Sequence, residues 1–414
     1  MSLFPAPPPS HADNVLRGGY AKIFENHTVL LTGCTGSLGG VLLYKLALQL
    51  PTRKIYALIR SQPQQAIKKL RRAMPDQADA ILASKKIKFV IGNMRLPSFG
   101  IEPALLEQLQ NEVTLVIHSA AKITLDANLY DAFENNCLPA LEMASMVSKF
   151  RHLRLLVQIS TAYVNSFLPD GPVLERLYNL TDVSPEEELA SILAREETPH
   201  ATKFSSTYAH AKYVMERLLP HRFPKLPILL LRPTIFGQSL RDPYPLYGLE
   251  NSTPLNKFFQ LFMGDRNGTQ VWHSADGYKT GRNIIDEIPV DFVANACLLH
   301  AAARTTGLVQ IASELYESFT FDDYIDIVHS NAPSPILREL PRIVFTEDRD
   351  EEQCSLAELV RVASRNWLFD CGRSYWLKQV GGPLSMRACK SQVDILNKRR
   401  ILRIYGKSIE KARI

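Results

Sequence analysis

The first part of the chain, up to Pro233, carries short apolar segments rich in Val, Ile and Leu, separated by longer stretches with helical periodicity. These segments do not alternate strictly between polar and apolar positions, which is typical of strands buried on both faces. A parallel sheet covered by helices on both sides contains such strands. We therefore predict an α/β fold with a doubly wound parallel sheet. The predicted strands cover residues 28–32, 54–60, 87–93, 113–120, 154–160 and 227–233.

The pattern changes after Pro233, where a segment rich in Pro, Tyr and Asn interrupts the alternation. A predicted helix over 288–302 and a predicted strand over 307–313 then restore the alternation of helices and strands along the chain. An insert at 164–206 has its own amphipathic helical pattern, and we expect it to lie over the substrate entrance. The predicted organisation is a flexible Pro-rich tail at 1–17, a sheet domain at 18–240, a substrate-binding region with returning sheet elements at 241–330, and a smaller, mostly helical C-terminal region at 331–414.

Composition and charge narrow the functional classes. The 414 residues are 46% hydrophobic and 22% charged, as in soluble globular proteins. A net charge of +6, from 48 basic and 42 acidic residues, fits a small anionic ligand and predicts no nucleic-acid partner. The six cysteines form no C-x-x-C pair, which argues against a metal site and against a disulfide framework. Neither a secretory signal pattern nor a membrane-spanning apolar run is found, so a cytoplasmic location is expected.

Three glycines at every third position, Gly33, Gly36 and Gly39, directly follow the first predicted strand. A glycine-rich turn between a strand and a helix lets backbone N–H groups approach a pyrophosphate, and the positive end of the helix dipole faces the charge. A plain tight turn is the alternative. Because the turn follows the first strand of an alternating pattern, it favours a dinucleotide site in a Rossmann-type sheet.

The end of the second predicted strand indicates which dinucleotide binds. An NAD site has Asp or Glu there to bind the ribose hydroxyls, but this strand ends in Arg60 without an acidic residue. A guanidinium can hold a 2′-phosphate through two hydrogen bonds. NADPH is therefore the predicted cofactor, and a solvated arginine at a strand end is the alternative.

Two later segments contain groups suited to proton transfer. Tyr208 and Lys212 are four residues apart in a helical pattern, so both side chains are expected on one face of a helix. A lysine ammonium beside a phenol lowers the phenol's pKa, which would make Tyr208 a usable proton donor. Thr161 follows the fifth predicted strand, where it either hydrogen-bonds a reacting carbonyl or is satisfied by its own backbone.

The order of these motifs resembles that of extended short-chain dehydrogenase/reductases, and more narrowly that of the fatty acyl-CoA reductase (male-sterility, thioester-reductase) family. The resemblance covers about residues 18 to 330 and rests on TVLLTGCTGSLGGVLLYKL, KIYALIR, TLVIHSAAKITLDANL, ISTAYVNS, STYAHAKYVMERLL, LLLRPTIFG and IIDEIPVDFVANA. It implies NADPH-dependent reduction of an acyl thioester, carried on CoA or on an acyl-carrier protein, to an aldehyde and often to a primary alcohol.

The resemblance also implies roles for individual residues. Thr161, Tyr208 and Lys212 take the catalytic positions, and no metal is required. His118 is expected to be structural. The residues implied in cofactor binding are Thr32, Gly33, Thr35, Gly36, Ser37, Leu38, Gly39, Arg60, Asn93, Ser119, Ala120, Ala121, Lys122 and Pro233.

The chain departs from the family pattern in the cofactor site. Asn93 stands where an aspartate near the adenine is usual, and Ser37 stands where a bulky aromatic residue is usual. Outside that site, the apolar segment 254–264 either lines an acyl channel or packs in the core. The basic segment 396–411 is either a solvated face or a contact for an acidic carrier domain, CoA phosphates or a membrane surface.

Two other functions stay open from the sequence. One is an enzyme of the same fold that reduces a free ketone, an aldehyde or a polyketide intermediate, or that epimerises or dehydrates a nucleotide sugar. A nucleotide-sugar enzyme needs a second nucleotide-diphosphate site, for which the C-terminal part shows no clear motif. The other is a cofactor-binding sensor without turnover, a class that often lacks the Tyr-Lys pair found here.

Overall fold

The computed structural model describes residues 9–123, 127–180, 183–248, 253–265, 268–360 and 364–412. Its strands are β1 Thr28–Thr32, β2 Lys54–Ile59, β3 Ile87–Ile91, β4 Leu115–His118, β5 Leu155–Ile159, β6 Gly171–Val173, β7 Ile228–Pro233, β8 Ile235–Gly237, β9 Thr269–His273, β10 Glu287–Pro289, β11 Gly307–Ile311, β12 Arg342–Thr346 and β13 Trp367–Phe369.

The α-helices are α1 Pro9–Asn14, α2 Tyr20–Glu25, α3 Ser37–Tyr44, α4 Pro63–Ala73, α5 Ala78–Ala83, α6 Pro103–Glu112, α7 Leu129–Asn136, α8 Leu138–Val147, α9 Pro185–Arg195, α10 Thr207–Arg222, α11 Pro254–Gly264, α12 Val290–Ala302, α13 Phe321–Asn331, α14 Ser334–Leu337, α15 Ser355–Leu359 and α16 Lys390–Ala412. Short π-helical segments cover Val15–Gly19 and Lys45–Gln49. Short 3₁₀-helical segments cover Pro97–Gly100, Ala162–Asn165, Ser313–Leu315, Gly372–Gln379 and Gly382–Leu384.

Seven parallel strands form the main sheet in the order β11-β7-β5-β4-β1-β2-β3. The chain runs outward from β1 to β3 and then crosses to the opposite side of β1 to form β4. In a doubly wound sheet, ligands bind where the strand order reverses, at the carboxyl ends of the strands. The α/β prediction is confirmed, and each predicted strand contains an observed one.

Alternate residues of the central strands contribute to hydrophobic cores on opposite faces of the sheet. Val29 and Leu31 of β1 belong to one core, and Leu30 between them belongs to the other. All five residues of β1 are buried. Both faces are therefore covered, which explains why these strands read as continuous apolar runs in the sequence.

A third core lies in the later part of the chain. Phe258, Phe259 and Phe262 of α11 are fully buried and pack with Trp272 and Phe321. Of the two alternatives for residues 254–264, this arrangement fits core packing. The region 331–414 is mostly helical, but it also contains β12 and β13, which pair with β9 and β6.

The N-terminal segment differs from the predicted tail. Residues 1–8 lie outside the described residues, but 9–25 are helical, and Val15 and Phe24 are completely buried. The Tyr20 hydroxyl donates a hydrogen bond of 3.1 Å to the Gly381 carbonyl. The prediction of a flexible tail over 1–17 was thus wrong for residues 9–17, because Val15 belongs to the same hydrophobic core as Val29 and Leu31. Among the described helices, none has the length and apolar character needed to cross a membrane.

Candidate active site

The glycine turn joins β1 to α3 at the point where the strand order reverses. Gly33 has φ +73°, which a side chain disfavours, and a Cβ there would lie 2.9 Å from the Ala120 nitrogen. A Cβ at Gly39 would lie 2.1 Å from the Gly33 carbonyl oxygen. Glycine is therefore required at both positions for α3 to pack directly against the turn.

The amino end of α3 is suited to an anion. Gly36 occupies the N-cap position, and no side chain caps it within the described part of the chain. The first-turn N–H groups of a helix have no partner inside the helix, and the helix dipole adds positive character. The Tyr247 hydroxyl lies 3.4 Å from the Gly36 carbonyl, a contact that the sequence did not indicate. The residues present fit the pyrophosphate of a dinucleotide.

A buried hydrogen-bond network holds the ends of β1 and β4 together. The Thr32 hydroxyl oxygen lies 2.9 Å from His118 Nδ1 and accepts a 3.1 Å hydrogen bond from the Ala120 N–H. Ser119 Oγ donates to the Thr32 carbonyl at 2.6 Å. Burial, with a smaller effect from the charge of Lys212, lowers the pKa of His118 to about 3. His118 is therefore neutral and holds Thr32 in place, as expected for a structural histidine.

The loop after β4 is fixed by a residue that the sequence analysis missed. The buried Asn136 side chain accepts a 2.9 Å hydrogen bond from the Lys122 N–H and donates one of 3.1 Å to the Lys122 carbonyl. The Lys122 ammonium pairs with Asp131 at 2.6 Å. Ala121 and Lys122 are exposed, which leaves the loop accessible beside the glycine turn. No sequence spacing pointed to Asn136, because it acts across an intervening loop.

Arg60 and Asn93 lie just beyond the ends of β2 and β3, and both are exposed. Within the described residues, Arg60 has no acidic partner at ion-pair distance, so its guanidinium is available to a ligand. The Asn93 side-chain oxygen accepts a 3.1 Å hydrogen bond from the Arg95 N–H. Pro233, at the end of β7, pairs with Ile311 on the same edge of the sheet.

The three predicted catalytic residues lie directly after β5 and on α10, which packs against the turn that follows this strand. Thr161 follows β5 and is 7% exposed, and its hydroxyl accepts a 3.3 Å hydrogen bond from the Tyr163 N–H. Helix α10 carries Tyr208 and Lys212 and packs against the turn Ala162–Asn165. The Lys212 ammonium donates to the Ile159 carbonyl at 2.9 Å and lies 5.9 Å from the Tyr208 ring centre.

Burial controls the protonation of this pair. It lowers the pKa of Lys212 to about 8, although the charge of Glu216 acts in the opposite direction. The pKa of Tyr208 is raised above its usual range by burial. The expected lowering by Lys212 is therefore not found, since desolvation dominates. Tyr208 is a neutral hydroxyl that can donate a proton or a hydrogen bond.

An ion pair that the sequence did not indicate holds α10 against the sheet. Arg232 of β7 donates to both carboxylate oxygens of Glu216, at 2.9 and 3.0 Å from Nε, and both side chains are 1% exposed. Glu216 lies one helical turn after Lys212, and Arg232 directly precedes Pro233. The pair therefore fixes the position of the helix that carries the predicted catalytic residues.

Two clefts lie between the sheet domain and the later segments. The first is lined by residues that include Gln238, Tyr316 and Arg400. The second is lined by Tyr163, Asp286 and Trp367, among others. Tyr163 of the second cleft is two residues from Thr161 in the chain.

Comparison with known proteins agrees with this geometry. The family model described as male sterility protein, an NAD-binding model, matches residues 31–297. Fatty acyl-CoA reductase 1 of Xenopus laevis is 26% identical over 308 residues, which are 69% of this chain and 56% of that protein. The probable fatty acyl-CoA reductase 5 of Arabidopsis thaliana is 25% identical over 338 residues, 69% of this chain and 65% of that protein. The chain thus spans 56% and 65% of these relatives' lengths.

Solved structures show the same fold. The terminal R domain of the myxalamid PKS-NRPS biosynthetic pathway has a TM-score of 0.64 at 20% identity, covering 91% of this chain and 90% of that one. Yeast methylglyoxal/isovaleraldehyde reductase complexed with NADPH has a TM-score of 0.59 at 14% identity, covering 92% and 99%. The family match, which includes the glycine turn, supports a nicotinamide cofactor. Since that match extends over more than half of the chain, the protein belongs to the male sterility protein family, within the extended short-chain dehydrogenase/reductase fold.

Proposed function

We propose that this chain is an NADPH-dependent reductase of an acyl thioester, converting fatty acyl-CoA or a carrier-bound acyl group to the aldehyde and onward to the primary alcohol. The observation that carries the proposal is the placement of Thr161 directly after β5 and of the Lys212 ammonium of α10 at the Ile159 carbonyl of the same strand, at the carboxyl edge of the sheet that also holds the glycine turn. The similarity to proteins named fatty acyl-CoA reductases supports the substrate class.

Arg60 supports NADPH as the form of the cofactor. Its exposed guanidinium follows β2 and has no acidic partner among the described residues. The 2′-phosphate distinguishes NADPH from NADH, and a planar guanidinium binds phosphate through two hydrogen bonds. When bound, the cofactor supplies a hydride.

The chain's own residues would manage the charge that hydride transfer creates on the carbonyl oxygen. Within the described residues, the Tyr208 hydroxyl has no hydrogen-bond partner, so it can donate to that oxygen. The Thr161 hydroxyl already accepts from Tyr163 and can donate its own hydrogen to the same oxygen. Lys212 keeps positive charge beside the phenol, which favours proton release from Tyr208 as the oxyanion is protonated.

The reaction balances in two stages. In the first, one hydride and one proton convert the thioester to a hemithioacetal, which loses the thiol and leaves the aldehyde. In the second, a further hydride and proton convert the aldehyde to the alcohol. Each stage uses one cofactor and returns Tyr208 to the protonated form through solvent.

Exposed cations on α16 support a donor that carries negative charge. Lys398, Arg399 and Arg403 are exposed, and Arg400 on the same helix lines the first of the two clefts. CoA phosphates and acidic carrier domains would both be attracted to such a face.

The test supplies the purified chain with NADPH and a panel of acyl-CoAs and acyl-carrier proteins, and identifies products by mass spectrometry. We expect thiol release with aldehyde or alcohol formation, and Tyr208→Phe should lower the rate by about 10²–10⁴-fold without loss of cofactor binding. Absence of product with every thioester, in protein that binds NADPH, would contradict the proposal. Reduction of free aldehydes alone would assign the chain to the carbonyl-reducing alternative.

A further inference from the structure

Three side chains that the proposed reaction does not use meet where the insert packs against α10. Glu188 lies on α9, His200 follows that helix, and His210 lies on α10 between Tyr208 and Lys212. The two histidines are 0% and 1% exposed, and Glu188 is 0% exposed. The ligand atoms of the three residues all lie within 4.8 Å of one another.

The hydrogen bonds around Glu188 are unevenly distributed. One carboxylate oxygen lies 2.9 Å from His200 Nδ1, 2.7 Å from His210 Nε2 and 2.7 Å from the Thr198 hydroxyl. The other oxygen of Glu188 is buried and has no hydrogen-bond partner in the described part of the chain. A buried carboxylate requires a compensating positive charge, because removing an ion from water is costly. A cation held between this carboxylate and the two imidazole nitrogens would supply that charge.

The surroundings exclude water and fix the rings. Phe204 stacks on His210 with 4.3 Å between ring centres, and Phe133 meets the same ring edge-on at 5.4 Å. This apolar wall keeps the cluster closed, as in structural metal sites.

We propose that Glu188, His200 and His210 bind a zinc ion that fastens the insert to helix α10. Two imidazole nitrogens and a carboxylate suit zinc, whereas calcium and magnesium prefer oxygen ligands alone. The Thr198 hydroxyl or a water molecule would complete four-fold coordination. No metal was expected from the sequence, because the cysteines form no C-x-x-C pair and these three ligands are spread over residues 188–210.

The two contacts between the carboxylate and the imidazoles allow the ion with a small adjustment. Tetrahedral bonds of about 2.0–2.1 Å separate ligand atoms by roughly 3.3 Å. The two contacts to the carboxylate oxygen, at 2.9 and 2.7 Å, are shorter than this. Withdrawal of the Glu188 oxygen by roughly half an ångström would open the site, and the second oxygen offers an alternative ligand.

Cobalt gives the most direct test, because a tetrahedral cobalt ion absorbs visible light and zinc displaces it. We would strip the untagged 414-residue chain with a chelator, titrate it with cobalt and then with zinc, and record absorption, metal content and thermal unfolding. We expect about one ion per chain, a tetrahedral cobalt spectrum and a zinc-dependent rise in Tm. Absence of a stoichiometric ion and of the spectrum in the wild-type chain would overturn the proposal, leaving a hydrogen-bonded cluster.

Variants locate the ion. Glu188→Gln and His200→Gln should each weaken zinc binding at least tenfold and remove the zinc-dependent rise in Tm. His221→Gln is the matched control, because His221 is an exposed histidine at the end of the same helix α10. Unchanged zinc affinity in both cluster variants would place the ion elsewhere and refute the assignment. If either variant fails to fold, the wild-type cobalt measurement still decides the question.

Discussion

Replacing Gly39 by alanine tests whether the close packing of α3 on the glycine turn creates the cofactor site. The new Cβ would lie 2.1 Å from the Gly33 carbonyl oxygen and 2.5 Å from its carbon, whereas ordinary contacts begin at 3.4 Å. These are backbone atoms, so the amino end of α3 must move by roughly 1 Å, which typically costs about 1–3 kcal/mol. Alanine gains about 1 kcal/mol of helix propensity. We therefore expect a net loss of about 0–2 kcal/mol in the free energy of unfolding.

The effect on the cofactor should exceed the effect on stability. The displaced helix no longer aims its first N–H groups at the pyrophosphate, and a loss of about 1.4 kcal/mol already weakens binding tenfold. We expect the Kd for NADPH to rise at least tenfold in a fluorescence titration, with denaturant unfolding measured on the same samples.

The neighbouring glycine provides the control. A Cβ at Gly40 would also meet an atom at 2.1 Å, but that atom is the hydroxyl oxygen at the tip of Tyr247. Gly40→Ala should therefore be relieved by Tyr247→Phe, whereas Gly39→Ala should not. If Gly39→Ala binds NADPH with wild-type affinity and unfolds as the wild type does, the proposed role of the turn is wrong.

Three further predictions concern charged and titratable groups. Arg60→Gln should raise the KM for NADPH about 10–100-fold and leave the KM for NADH unchanged, because only NADPH offers a 2′-phosphate to Arg60. Equal effects on the two KM values would contradict this role of Arg60. Burial lowers the pKa of His300 from 6.5 to about 3, so its contribution to stability is present above pH 6.5 and is lost as the pH falls toward 3. By pH 5 this loss amounts to about 2 kcal/mol of the free energy of unfolding. In urea unfolding, the free energy of unfolding of His300→Gln should therefore decline less between pH 7 and 5 than that of the wild type. Arg232→Met leaves Glu216 buried without its partner and should destabilise the fold by about 3–5 kcal/mol. The double variant Arg232→Met/Glu216→Leu should recover most of this loss, because it leaves no buried charge unpaired. A double variant as unstable as Arg232→Met would refute this explanation.

The features predicted from sequence are those with a local signal. The buried parallel strands left continuous apolar runs, and the glycine turn left a fixed spacing after β1. Tyr208 and Lys212 were placed on one helix face by a four-residue spacing, which the structure confirms. Their protonation was not predictable in the same way. Burial decides the pKa of Tyr208, and burial depends on segments distant in the chain.

The features that were missed depend on long-range contacts. Asn136, Glu216 and Tyr247 act on residues in other elements, and nothing in their own neighbourhood marks them. Strands β12 and β13 are short, and each pairs with a strand from a remote part of the chain. The apolar helix α11 was ambiguous because a helix face buried in a core has the same pattern as one lining a channel.

We propose that this chain directs hydride from NADPH to an acyl carbon with Tyr208 as proton donor, and deuterium labelling tests this claim. The chain would be incubated with palmitoyl-CoA and NADPH deuterated at the transferable position, and the product analysed by mass spectrometry. We predict deuterium at C1 of the product, one atom in the aldehyde and two in the alcohol, with almost none from Tyr208→Phe that still binds NADPH. An unlabelled product, or labelling unchanged in Tyr208→Phe, would contradict the claim.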